Sequence, residues 1–266
     1  MGAEAVARLQ YSSPRPSPYA GIDNQERFYF MSKTDQQMTL PPFEGFRPES
    51  IAFFRDLDSN QNKEWFAANK ARYEQYVRGP LQSLVVDTST QLKKHKLPLY
   101  GDPQRSLFRI NRDIRFSKDK RPYQTHASAV LTRDGEKHSP GVLYVHIDPA
   151  GSFVAAGFYC PEPSTLLALR QGLVAQPAGW GKVERALLKA DLPLSTDDTL
   201  MRVPRGFEDA PSKLAEVLKL KSWVVLRKLS AADISRPSLV DQIVGLARDA
   251  KPLLNFGWDA LEFTSR

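Results

Sequence analysis

Three short runs of β-branched, aromatic and small apolar residues constrain this chain most: Ser128 to Thr132, Gly141 to Asp148 and Ser152 to Cys160. Such residues pack well on a pleated surface, and runs this short fit strands better than helices. The links between them are short. Asp134-Gly135 supplies one turn, and Asp148-Pro149-Ala150-Gly151 supplies another, with Gly151 free to take a positive φ. Parallel neighbours need a crossover of about a dozen residues or more, so these strands are expected to pair antiparallel as a meander.

On both sides of the meander the apolar period becomes helical. Pro48, at a first helical position, leads into Ile51, Phe53, Phe54 and Leu57. Asn62 is placed to cap a second helix, Lys63 to Arg78, which Gly79-Pro80 should break before a third helix carrying Leu81, Leu84, Val85 and Leu92. After Pro161, Ser164 is placed to cap a helix from Thr165 to Val174, followed by Trp180 to Ala190 and Ser212 to Lys221. Trp223 to Leu229 reads as a further strand, and a closing helix as Ser238 to Leu254. The expected fold is a single α+β domain, with a mainly antiparallel sheet and flanking helices at both ends.

The 266 residues are 41% hydrophobic, enough for a core without disulfide or metal staples. No repeat or internal linker divides residues 43–266, which are expected to form that single domain. Residues 1–40 are poor in periodic apolar positions and rich in Ser, Pro and Gln, the composition of a disordered tail. Met31 and Met38 are candidate natural starts. The first residues lack the apolar core of a signal peptide, and Val6 stands where a myristoylation signal needs Ser or Thr. The stretch poorest in charge, Ser139 to Pro163, is interrupted by Asp148 and four prolines, so no membrane span is expected. With one cysteine, Cys160, the chain has no disulfide framework and no Cys-rich zinc signature; the reducing cytoplasm is the expected compartment.

The formal charge of +7 is concentrated. Arg105 to Tyr123 holds five Arg and two Lys against two Asp, a net of +5. Read as a strand, Leu107 to Phe116 puts Phe108, Ile110, Ile114 and Phe116 on one face, and Arg109, Asn111, Asp113 and Arg115 on the other. Arg112 then falls on the apolar face. A helical reading would instead align Arg105, Arg109, Arg112 and Arg115; the short run bounded by Pro103 and Pro122 favours the strand. A guanidinium turned toward a core is costly unless paired. Its partner is either an acid of this chain, with Glu162 and Asp113 the first to consider, or a bound anion, which the forked donors of Arg fit. A solvated basic strip is the third alternative.

The anion reading takes Arg109, Arg112 and Arg115 as ligand-binding residues, with Lys118 and Lys120 assisting from the loop. Asp113, Tyr123 and His126 are its acid–base candidates. Its partner would be a small phosphate- or carboxylate-bearing molecule. The alternative is nucleic acid along the same basic surface, recognisable by steep salt dependence. His146 is a further imidazole candidate, although a histidine in a strand is usually structural. The spacing of His126, His138 and His146 matches no zinc pattern, so no metal and no cofactor is expected. Trp65, Phe66 and Tyr73 fit core packing at helical spacing, and Cys160 fits a buried, inert thiol. Phosphate-binding glycine loops and a G-x-S-x-G elbow are absent, which argues against nucleotide-driven chemistry and esterase activity.

The pattern Arg109-x-x-Arg112-Asp113-x-Arg115-Phe116, then Asp119-Lys120-x-x-Tyr123, resembles the signature of domain-of-unknown-function family 2461. The likeness extends through Asn62-Lys63-x-Trp65-Phe66, Gly157-x-Tyr159-x-Pro161-Glu162-Pro163, Pro204-x-Gly206-Phe207 and Leu218-Lys219-x-Lys221-Ser222. It spans about Phe43 to Leu229. Ala210 stands before Pro211 where the resemblance leads one to expect His. The family carries no activity to transfer, so the resemblance implies that the arginine segment is a defining feature and leaves its chemistry open.

Overall fold

Pro48 opens helix α1 (Pro48–Ser59), which buries Phe53, Phe54 and Leu57. These coordinates are a computed structural model that describes residues 40–115 and 119–264; the expected tail, Phe116, Ser117 and Lys118 lie outside the described residues. Contacts divide the chain after Pro41, and Pro42–Arg266 makes one compact unit. No helix among the described residues is long and apolar enough to cross a membrane.

Asn62 caps α2 (Lys63–Ala68), its Oδ1 accepting from the Trp65 amide at 2.8 Å. Phe53 stands among Trp65, Phe66 and Tyr73, with ring centroids 5.7, 6.5 and 5.8 Å away, so these aromatics are core. The expected single helix to Arg78 is interrupted at Asn69, before α3 (Lys70–Tyr73). Gly79-Pro80, the expected breaker, does not break the chain's helical course. A wide turn over Glu74–Arg78 runs directly into α4 (Gly79–Lys94), and the Gly79 amide bonds to the Glu74 carbonyl. The wider turn, together with Pro80's place at the start of α4, accommodates the donor that proline lacks.

The sheet has the order β1 (Ala127–Leu131), β2 (Val142–Ile147), β3 (Ser152–Phe158), β4 (Trp223–Leu229), antiparallel throughout. This is the expected α+β architecture, with the meander extended by the later strand. At the β2–β3 hairpin, the Gly151 amide bonds to the Asp148 carbonyl at 3.1 Å. Gly157, at φ +137°, lies so close to the Trp223 carbonyl of β4 that a Cβ there would collide with it.

Strand alternation gives the sheet two different faces. Leu143, Val145, Ile147, Val154 and Ala156 join the main core. Helix α4 packs on β1, while α9 (Leu239–Asp249) and α10 (Lys251–Thr264) pack on β3. The expected single closing helix therefore divides at Ala250. Pro252 explains the division, since proline has no amide to continue a helix but fits a first turn. The other face presents Ser128, Tyr144, His146 and Phe153; the register pairs Ser128 with His146, and His146 with Phe153.

Between β3 and β4 run α5 (Pro163–Ala175), α6 (Pro177–Lys189) and α7 (Ala215–Lys219). Glu162, not Ser164, takes the cap position of α5, because Pro163 fits the first helical residue. Arg170, buried in α5, donates to the carbonyls of Leu218 at 3.0 Å and Leu220 at 3.2 Å, which lie at the end of α7. A short α8 (Ala231–Ile234) follows β4, held by a reciprocal cap between Ser230 and Asp233.

Candidate functional site

The basic segment is extended but does not form a regular strand. Leu107 bridges Ala129 and Asn111 bridges Tyr123, so four residue steps on one side face six on the other, and no continuous ladder can form. Single bonds hold it instead: the Phe108 amide to the Ser128 carbonyl at 2.9 Å, and the Arg112 amide to the Pro122 carbonyl at 2.8 Å. The expected apolar face is only partly realised, with Ile110 buried and Ile114 exposed.

Arg112 does turn inward, its side chain only 6% exposed. Its Nη1 donates to Asp119 Oδ2 at 2.8 Å, and its Nη2 to the Tyr123 carbonyl at 3.4 Å. The acid beside it is Asp119, rather than Glu162 or Asp113. Asp119 also accepts from Arg121 Nε at 3.1 Å and Nη2 at 2.8 Å, and Arg121 Nη1 reaches Asp58 Oδ1 at 2.6 Å. The hydrogen bonds from Arg121, reinforced by the nearby Arg112, hold the Asp119 carboxyl well below the usual carboxylate range. An alternating network of two arginines and two aspartates thus ties the segment to the end of α1.

The other expected ligand residues do not converge on Arg112. Arg115 grips Asp113 through Nε at 3.0 Å and Nη2 at 2.7 Å, and this bonding lowers the Asp113 pKa to about 2. Lys120 Nζ donates to the Ile114 carbonyl at 2.9 Å. Lys118 lies outside the described residues. Tyr123 is buried, stacked on Phe66 at 4.5 Å, and burial raises its pKa. It serves the core and is poorly placed for proton transfer.

Arg109 is exposed and lies near Lys137, a residue that sequence reasoning did not single out. Lys137 Nζ donates to the Leu107 carbonyl and sits 5.1 Å from the centre of the Phe108 ring. Burial, and then the charge of Arg109, push its pKa down. Neither cation meets a carboxylate within 4.0 Å among the described residues. The Phe108 ring stands edge-on to Tyr144 at 6.1 Å, which brings this pair to the border of the sheet's second face.

On that face titratable groups do converge. Tyr144 Oη lies 3.1 Å from His146 Nδ1. The His146 ring stacks on Phe153 at 4.7 Å and lies 4.4 Å from the His126 ring. Asp148 is fixed by the hairpin, its Oδ1 accepting from the Ala150 amide at 2.7 Å. Its Oδ2 is 3.4 Å from His146 Nε2 and 3.9 Å from His126 Nδ1. Burial works to raise the Asp148 pKa, but the close approach of His146 and the bond from the Ala150 amide outweigh it, and the net shift is downward. One ligand atom from each of His126, His146 and Asp148 lies within 4.8 Å of the others.

His126 and His146 were legible as individual candidates, whereas Asp148 read only as a turn residue. The available signal was register. β1–β2 pairing sets Ala127 against Ile147, and continuing it sets His126 against Asp148, two residues from His146 on the same face. Cys160 is exposed at φ +37°, past the end of β3, because the strand stops at Phe158; the expected buried thiol is corrected. An apolar depression lined by Trp180, Leu187, Leu188 and Leu192 includes none of the candidate residues.

No curated protein and no solved structure matches the chain significantly. Residues 49–256 match a family model described as a conserved hypothetical protein (DUF2461), and the chain belongs to that family.

Proposed function

We propose that the protein binds a small phosphate- or carboxylate-bearing ligand at the Arg109–Lys137 pair, on the border of the sheet's second face. The observation that carries this is two neighbouring cations, one half-buried, with no ion-paired acid among the described residues. Like charges held together in a partly desolvated place are costly, and a bound anion offsets that cost. Arg112 leaves the ligand set, since Asp119 already takes its charge. Arg115, 68% exposed and paired with Asp113, and Lys120, bonded to the Ile114 carbonyl, stand along the same segment and add positive charge at the rim. Phe108 adds a flat apolar surface between the cations and Tyr144.

The test is a thermal-shift titration with pyrophosphate, citrate and a short oligonucleotide, at low and moderate salt. A ligand at 100 times its Kd adds about 2.7 kcal/mol of stability. For a domain of this size that is a rise of roughly 5–11 °C in Tm. Arg109→Gln and Lys137→Gln should each weaken the response about tenfold or more. Equal responses in wild type and both variants would remove the pair from the site. Stabilisation by the oligonucleotide alone, lost steeply with salt, would favour a nucleic-acid surface.

A further inference from the structure

The geometry points to a divalent transition-metal site formed by His126 Nδ1, His146 Nε2 and a carboxylate oxygen of Asp148. It is separate from the anion pair and does not depend on it. Bonds of about 2.1 Å to nitrogen and oxygen ligands separate neighbouring ligand atoms by roughly 3.0–3.4 Å. The His146–Asp148 edge, 3.4 Å, already has that length. The His126–Asp148 edge, 3.9 Å, and the remaining edge, within 4.8 Å, close if the His126 ring moves by roughly 1–1.5 Å. His126 stands just ahead of β1, where such a movement disturbs no ladder bond.

A second observation bears on a ligand directly. His146 is 3% exposed, yet its Nε2 makes no aligned hydrogen bond, although Asp148 Oδ2 is only 3.4 Å away. Leaving a buried polar nitrogen in that state is costly, and a metal ion in front of it removes the cost. The other ring nitrogen has its partner in Tyr144 Oη. Ligation through Nε2 requires the tautomer with its proton on Nδ1, and Tyr144 Oη is placed to accept that proton's hydrogen bond. Tyr144 is thus a positioning residue for the site.

The donor set selects the ion. Two imidazoles and one carboxylate, without thiolate, suit Zn2+, Fe2+, Co2+ or Mn2+ rather than Ca2+ or a cuprous ion. Three protein ligands leave coordination positions open, as in sites where water or a substrate completes the shell. His126 and Asp148, at 17% and 19% side-chain exposure, leave the ion a route from solvent.

The full-length protein, stripped with a chelator, would be titrated near neutral pH with Zn2+ and Co2+ by calorimetry and visible absorption. One equivalent should bind, with a Co2+ spectrum free of thiolate charge transfer. His126→Ala and Asp148→Asn lie at the edge of the cluster and should fold, while weakening affinity at least tenfold. Tyr144→Phe should weaken it about tenfold without removing a ligand. Arg109→Gln and Lys137→Gln should leave it unchanged, so failure here is distinguishable from failure of the anion proposal. Binding well below one equivalent, thiolate bands from Cys160, or full affinity in both His126→Ala and Asp148→Asn would each overturn the assignment.

Discussion

Asp119→Asn tests whether Arg112 is held by this chain's own acid. In the native protein a guanidinium that is 6% exposed donates to Asp119 at 2.8 Å, with a long bond to the Tyr123 carbonyl. Removing one partner of a buried pair costs about 3–5 kcal/mol, because the other charge stays buried. Asp119 is itself 28% exposed, so water recovers part of the loss, and the low end, about 3 kcal/mol, applies. That corresponds to a fall of roughly 6–12 °C in Tm. Arg121→Gln is the control: its contacts with Asp58 and Asp119 lie among side chains 28–55% exposed, and such pairs are worth about 0.2–1 kcal/mol. The decisive variant is Arg112→Met combined with Asp119→Asn. It leaves no buried charge, so it should be more stable than Asp119→Asn alone by about 2 kcal/mol. Chemical denaturation of wild type, Arg112→Met, Asp119→Asn and the double variant gives the coupling. Simple additivity of the two substitutions, or a loss in Arg121→Gln as large as in Asp119→Asn, would refute the buried pair as the source of stability.

Gly157→Ala should cost several kcal/mol or prevent soluble expression, since φ is +137° and the new Cβ meets the Trp223 carbonyl; circular dichroism and melting would show it. The pKa values of Asp113 and Asp233, each near 2, lie below those of an unfolded carboxyl near 4. Between those values the unfolded chain binds more protons, so their stabilisation, complete above about pH 4, is lost as pH falls toward 2. Asp233→Asn, which takes the titrating carboxylate out of the cap with Ser230, should make the acid limb of a Tm-against-pH curve shallower; an unchanged limb would exclude that contribution. Tyr73 has the opposite sign. Burial raises its pKa to about 12, so the unfolded chain loses that proton first above about pH 10 and stability falls as pH rises. Ultraviolet titration should show Tyr73 among the tyrosines that ionise late, with Tyr123 and Tyr159, and Tyr73→Phe should shrink that late phase by one tyrosine.

What the sequence by itself determined is what depends on local period and local turn chemistry. Alternation and short links set the three meander strands and the Asp148–Gly151 hairpin. The Asn62 cap and the Pro48 start are one-residue signals with local causes. Alternation also set Arg112 among apolar neighbours, and the structure turns it inward although the segment forms no regular strand. The tertiary structure decided which groups meet. Asp119 reaches Arg112 only because the chain doubles back between Asn111 and Tyr123 with unequal spans. Lys137 joins Arg109 because its ammonium finds the Leu107 carbonyl across 30 residues of sequence. Gly79-Pro80 stays helical because a widened turn ahead of it takes up the missing bond. His126, His146 and Asp148 form one cluster because strand register sets two of them opposite each other, and pleating puts the third on the same face. Period fixes the side toward which a residue points. The partner there is supplied by another segment, and only packing brings that segment into place.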